Sequence, residues 1–137
     1  MLKKNFEQKA DYIYIIFRII IGLLFMQHGL QKLFGIFGGI GGSGQTVSLL
    51  SIMGLAGIIE FMGGLAIAFG FFTRLAAFIA AVEMIIAYFI AHVPKGFVPI
   101  LNGGELALLY FASFLLLIVN GAGKLSLEKA LLKKEIF

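Results

Sequence analysis

Among the ionisable residues in the long apolar stretches of this sequence, five could form a chemical site together: Arg18, His28, Lys32, Glu60 and Glu83. A charged side chain at the centre of a membrane helix costs about 2.5–3.5 kcal/mol on insertion scales, so such residues usually face the protein interior and pair with one another. A buried cation beside a buried carboxylate can hold a polar ligand or relay a proton. We therefore treat these five as candidate ligand-binding residues and assign no catalytic role to any of them.

The composition explains why these stretches are read as membrane helices. The chain has 137 residues, of which 61% are hydrophobic and 13% are charged, whereas soluble domains average about 45–50% apolar and about 25% charged residues. A chain with so few charged residues exposes an apolar surface, and lipid is the surrounding that such a surface requires. The chain has no cysteine and two histidines, so thiolate clusters are excluded and no metal site is predicted.

Four continuous apolar segments come close to the length of about 20 residues that crosses a bilayer. They lie at roughly residues 12–34, 50–70, 73–92 and 104–120. The pattern predicts an all-α, integral membrane four-helix bundle that forms a single domain over residues 1–137. The C-terminal sequence KLSLEKALLKKEIF contains both leucines and lysines. This composition is typical of an amphipathic helix on a membrane surface.

Basic residues predict the orientation of this bundle. Lys3, Lys4 and Lys9 precede the first segment, Arg74 lies in the second loop, and four lysines follow the last segment. The positive-inside rule places both termini and Arg74 in the cytoplasm. The net charge of +4 lies mostly at the two ends, which favours a role in orientation and predicts no nucleic-acid partner.

Helical spacing predicts how the buried charges meet. At about 100° per residue, Arg18, Gly22, Gly29 and Lys32 form one stripe on the first helix, and Glu60 lies on a comparable stripe of the second. Depth along the helices, at about 1.5 Å per residue, predicts that Arg18 pairs with Glu60. Either face of the helix that carries Glu83 could point inward.

Each candidate also has a structural alternative. The Arg18–Glu60 pair could serve only to fix helix register, Lys32 could extend to the outer interface, and His28 could be a packed, hydrogen-bonded histidine. Arg74 is interpreted as a topology anchor. Gly63 and Gly64 are interpreted as a close-packing surface for a neighbouring helix.

An ordered set of charged and glycine positions resembles a known family. Over the first two segments it reads R-x3-G-x2-F-x2-HG-x2-KL, from Arg18 to Leu33, and then E-x-x-GG from Glu60. The set ends at Thr73-Arg74-x-Ala-Ala, and it is similar to the DoxX family of small bacterial and archaeal four-helix membrane proteins. The resemblance implies a multi-pass protein of the plasma membrane, with links to quinone chemistry and to membrane oxidoreductase complexes.

Three hypotheses of function follow. The first is a redox-linked subunit that binds a quinone-like or small anionic molecule within the bundle, which makes it a possible quinone-linked oxidoreductase subunit. The second is a non-enzymatic scaffold that recruits oxidoreductase partners, and the third, ranked last, is a small transporter. Lipid is the expected partner in every case, with oxidoreductase proteins and a second copy of the chain as further partners. Quinone is the cofactor considered, and a haem held by His28 and His92 is disfavoured because His92 lies at a loop boundary.

Overall fold

A computed structural model describes residues 2–136, with side chains from residue 9 onward, and all regular structure in that range is helical. The helices are α1 (Leu2–Phe34), α2 (Ile52–Phe69), α3 (Thr73–Ala87), α4 (Pro99–Asn102), α5 (Glu105–Asn120) and α6 (Leu127–Leu132). A π-helical turn, Tyr88–His92, continues α3. The all-α prediction is thereby confirmed.

Within the described part of the chain, three stretches are long and apolar enough to cross a membrane: Lys9–Phe34, Ile52–Phe69 and Thr73–Lys95. The apolar helix α5 has 16 residues and extends about 24 Å, which is shorter than a typical span. Together these helices are those of a membrane protein. The side chains of Lys3 and Lys4, on which part of the predicted orientation depends, lie outside the described residues.

Glycines bring the antiparallel helices α1 and α2 into backbone contact. A methyl group on Gly64 would lie 2.6 Å from the carbonyl oxygen of Gly22, and one on Gly29 would lie 2.7 Å from that of Gly57. Small residues allow this close approach in lipid, where no hydrophobic force draws helices together. The contact also fixes the register, because residues 22 and 29 lie level with residues 64–68 and 57–61.

Helix α3 packs mainly on α5 through small side chains. Its buried alanines, Ala77, Ala80 and Ala81, face the buried rings of Tyr110 and Phe114 on α5. Phe25 joins α1 to this core, because its ring centroid lies 4.8 Å from that of Phe114 on α5. The apolar core therefore lies between α1, α3 and α5.

Local signals begin and end α2. The Ser51 hydroxyl oxygen accepts a hydrogen bond from the Gly54 N–H at 3.0 Å, which caps the first turn. At the other end Gly70 adopts φ 70°, and its position allows the Phe71 N–H to donate to the Ala66 carbonyl at 2.8 Å. Glycine is the residue that adopts this left-handed conformation without strain. A short turn follows Gly70, and α3 begins directly after it at Thr73.

Candidate functional site

An ion pair joins the first two helices at the end of the bundle where α1 finishes. The Lys32 ammonium on α1 donates to Oε1 of Glu60 on α2. The glycine contacts set this geometry, because Lys32 lies beside Gly57, one turn before Glu60. Glu60 is 3% exposed, so its charge depends on this partner.

Glu83 of α3 supplies a second buried carboxylate at the same place. Neither of its oxygens has a hydrogen-bond partner among the described residues, and the same is true of Glu60 Oε2. Glu83 is 9% exposed, which makes an unpartnered carboxylate costly there. These oxygens are the acceptors with which a bound hydrogen-bond donor could pair.

The three charged residues line one cavity of about 270 Å³, which we call the polar cavity. Its walls come from four helices and the loop before α5, and its other lining residues are Phe25, His28, Met53, Ala56, Met84, Ala87, Ala91, His92, Gly103, Leu106, Ala107 and Tyr110. Its volume lies just below the range of about 300–1,000 Å³ found for small-molecule sites, which suits a group the size of a single ring. Mostly apolar walls with a few convergent charges are typical of such sites.

Aromatic rings form the wall between α1 and α5. The imidazole of His28 meets the ring of Tyr110 edge to face, with centroids 5.8 Å apart, and Tyr110 in turn lies 5.3 Å from Phe25. His28 therefore lines the polar cavity as well as packing against Tyr110. Tyr110 is a lining residue that the sequence reasoning missed, because an aromatic residue in an apolar helix gives no signal of its own.

The loop before α5 closes the end of the polar cavity. The Asn102 side chain donates to the Gly96 carbonyl at 2.7 Å and accepts from the Gly104 N–H at 2.7 Å. Nδ1 of His92 lies 3.1 Å from the Asn102 carbonyl oxygen. These bonds hold His92 and Gly103 in the cavity wall at the end where α5 begins.

Arg18 does not belong to this cluster, and the predicted Arg18–Glu60 pair is wrong. Its guanidinium donates to the carbonyl oxygens of Ala122, of Leu125 at 2.7 Å and of Ala68 at 3.3 Å. Arg18 lies level with Gly70, whereas the depth estimate had placed residue 12 there. The register of α1 against α2 therefore differs from the predicted one by six residues, or about 9 Å. With this register Lys32, and not Arg18, lies close enough to pair with Glu60.

The structure places the remaining predicted residues as follows. The Arg74 guanidinium donates to the carbonyl oxygens of Ile118 and Val119, both at 2.7 Å, at the end of α5. Gly64 makes the close contact with α1 described above, whereas a methyl group on Gly63 would meet only the Phe25 ring, at 3.8 Å. The sequence thus brings His28, Lys32, Glu60 and Glu83 together and separates Arg18 and Arg74 from them.

Comparisons with known proteins give a family and no solved fold. The model of the DoxX family matches residues 13–93. A protein of Haemophilus influenzae, described only as uncharacterized, is 42% identical over 133 residues, which cover 95% of this chain and 98% of its own. A second uncharacterized protein of that organism is 39% identical over 66 residues, 48% of this chain and 43% of its own. No solved structure matches the chain.

Proposed function

Because the chain belongs to the DoxX family of membrane proteins, we propose that it is a redox-linked subunit that binds a quinone-like ring in the polar cavity. The redox link is what the family resemblance implies, and the cavity supports the ligand class. The observation that carries the proposal is the unpartnered Glu83 carboxylate beside the Lys32–Glu60 pair.

The charges in the polar cavity favour a ring with hydroxyl groups. A quinol has two O–H donors, so one hydroxyl can donate to Glu83 while the other oxygen accepts from Lys32. A small anion, the other ligand considered from the sequence, would meet two carboxylates and one ammonium. We therefore propose that the reduced, hydroxyl-bearing form binds more tightly than the oxidised form.

The other residues have supporting roles in this proposal. His28 is a further proton carrier at the cavity wall, since one imidazole nitrogen can donate a proton while the other accepts one. The rings of Phe25 and Tyr110 offer faces and edges against which a flat ring can pack. Electrons from the bound quinol would pass to a partner oxidoreductase, which is the reason for proposing a subunit.

Equilibrium binding of a single-prenyl benzoquinol and of its oxidised quinone, to purified protein in lipid nanodiscs without oxygen, tests the proposal. We expect tighter binding of the quinol. Glu83→Gln should weaken quinol binding roughly 2–10-fold, because a hydrogen bond contributes about 0.5–1.5 kcal/mol. The change should affect quinone binding less.

Glu105→Gln is the matched control, because Glu105 is an exposed acid at the start of α5. It should bind quinol as the unaltered protein does. Absence of binding by the unaltered protein would contradict the proposal. It would favour the scaffold hypothesis, in which the buried charges only fix helix register.

A further inference from the structure

A second cavity runs along the outside of α2 and α3, and we call it the apolar groove. It measures about 330 Å³, with walls that include Ile52, Leu55 and Ile59 of α2 and Ile79, Val82 and Ile86 of α3. Among the described residues that line it, only Glu83 is charged. Leu55 is 58% exposed and Val82 is 42% exposed, so the groove faces the surroundings of the bundle, which are lipid.

The apolar groove and the polar cavity share a wall. Five residues line both: Met53, Ala56, Glu83, Ala87 and Ala91. Three of them are alanines, whose short side chains leave little between the two spaces. The Glu83 carboxylate therefore lies at the boundary between the apolar groove, which faces the lipid, and the polar cavity.

The geometry points to a ligand that has both parts, and this inference rests on the proposed function. We infer that the ligand is a resident of the bilayer, a polar ring with a long prenyl or alkyl tail, and that it enters sideways between α2 and α3. The ring occupies the polar cavity beside Glu83 and Lys32, and the tail stays in the apolar groove.

The role of the apolar groove depends on the free energy of moving a hydrocarbon tail into it from lipid. Lipid tails are as apolar as leucine side chains, so moving a tail from lipid into the groove gains little free energy. The groove instead lets the tail remain in apolar surroundings while the ring reaches the charges. A ligand without a tail needs no such path.

Two other sides of the polar cavity are closed by direct contacts between helices. Between α1 and α5 the rings of Phe25, His28 and Tyr110 are in contact. Between α1 and α2 the backbones touch at Gly29 and Gly57. The side between α2 and α3 is the one whose lining, with three alanines, is shared with the apolar groove, and this is the place of entry in the inference.

Filling the apolar groove tests the inference. Val82→Trp places a large ring in the groove at a residue that does not line the polar cavity, and Ile79→Trp does so one turn away. We expect each to weaken binding of a polyprenyl benzoquinol roughly tenfold or more, and to leave binding of the single-prenyl benzoquinol unchanged. Leu109→Trp is the control, on an α5 residue that is 64% exposed and lines neither space.

Each outcome decides one question. Equal polyprenyl binding by the unaltered protein and both groove variants would overturn the placement of the tail in the apolar groove, and the sideways entry that depends on it, and so would equal weakening of both quinols. Failure of the unaltered protein to bind the single-prenyl quinol would instead overturn the proposed function, and the inference with it. A misfolded variant is recognised by a lower midpoint of thermal unfolding, so equal weakening counts against the inference only in a variant whose midpoint is unchanged.

Discussion

One ammonium group, Lys32, faces two buried carboxylates, and this imbalance governs the behaviour of the polar cavity. Glu60 has Lys32 as its partner, while Glu83 has none among the described residues. A buried ion pair contributes little net stability, but removal of one partner leaves a costly charge. The pair and the extra carboxylate should therefore respond differently to substitution.

Lys32→Met should destabilise the folded protein by about 3–5 kcal/mol, because it leaves Glu60 buried and unpaired. Lys32→Met combined with Glu60→Met should recover most of that stability, since two methionines of similar volume replace the charges. The combined variant should still fail to bind quinol. Thermal unfolding in detergent and quinol binding measure the two effects.

Lys95→Met is the matched control, because Lys95 is exposed in the loop after α3. It should alter neither measurement. Recovery of both stability and quinol binding in the combined variant would contradict a ligand role for the pair, and would leave it as a determinant of helix register.

At the scale of elements, two pairs of glycines set where the charges meet. Gly22 and Gly29 on α1, and Gly57 and Gly64 on α2, are each separated by seven residues, which is two helical turns. Each pair presents small residues on one face, and the backbones meet there. This contact, more than the charges, determines that Lys32 and not Arg18 reaches Glu60.

Gly64→Ala should push α1 and α2 apart, because the new methyl group would lie 2.6 Å from the Gly22 carbonyl oxygen. We expect a loss of about 1–3 kcal/mol, as for other overpacked sites, and a lower midpoint of thermal unfolding. Gly63→Ala is a neighbouring control whose methyl group meets only the Phe25 ring at 3.8 Å. A lower midpoint for Gly63→Ala alone would contradict the assigned interface.

The sequence predicted the helices well and their register poorly. Continuous apolar runs reveal helices because lipid leaves few other ways to satisfy the backbone. Hydropathy does not reveal how deep each helix begins, and α1 extends from Leu2, well before the expected residue 12. The seven-residue glycine spacing does not fix the register either, because Gly63 and Gly70 are spaced in the same way as Gly57 and Gly64.

The candidate site was predicted in its residues more than in its arrangement. His28, Lys32, Glu60 and Glu83 were expected from the cost of burying charge, and the structure brings them to one cavity. Arg18 was grouped with them because a buried arginine was expected to pair with a carboxylate. Backbone carbonyls at helix ends are equally good acceptors, and no side-chain pattern marks them.

At the scale of the whole molecule, residues 121–136, the C-terminal segment, fold back against the opposite end of the bundle. Arg18 binds its carbonyls, the Tyr14 hydroxyl donates to the Gly121 carbonyl at 2.6 Å, and Glu135 accepts from the Ala122 N–H at 2.9 Å. Partial burial opposes ionisation of Glu135, yet this hydrogen bond and the Lys129 ammonium, 2.9 Å away, hold the pKa of its carboxyl below the ordinary value. The segment is thus attached by charge-assisted contacts.

Arg18→Gln should release the C-terminal segment and leave quinol binding unchanged, because Arg18 lies 14 residues before Lys32, about 21 Å along α1. The chain has no cysteine, so Ile136→Cys takes one fluorescent label whose mobility reports release. Lys95→Gln, at the other end of the bundle, is the control. Loss of quinol binding without increased label mobility would return Arg18 to the ligand site.

The hydrogen bonds of Arg18 also have a consequence for the order of assembly during synthesis. The guanidinium joins α1, the last turn of α2 and a segment that follows α5. That segment leaves the ribosome after the other helices, and its binding site is complete only when α1 and α2 have paired in register. Attachment of the C-terminal segment is therefore a late step in biogenesis, and it reports that the first two helices are correctly inserted.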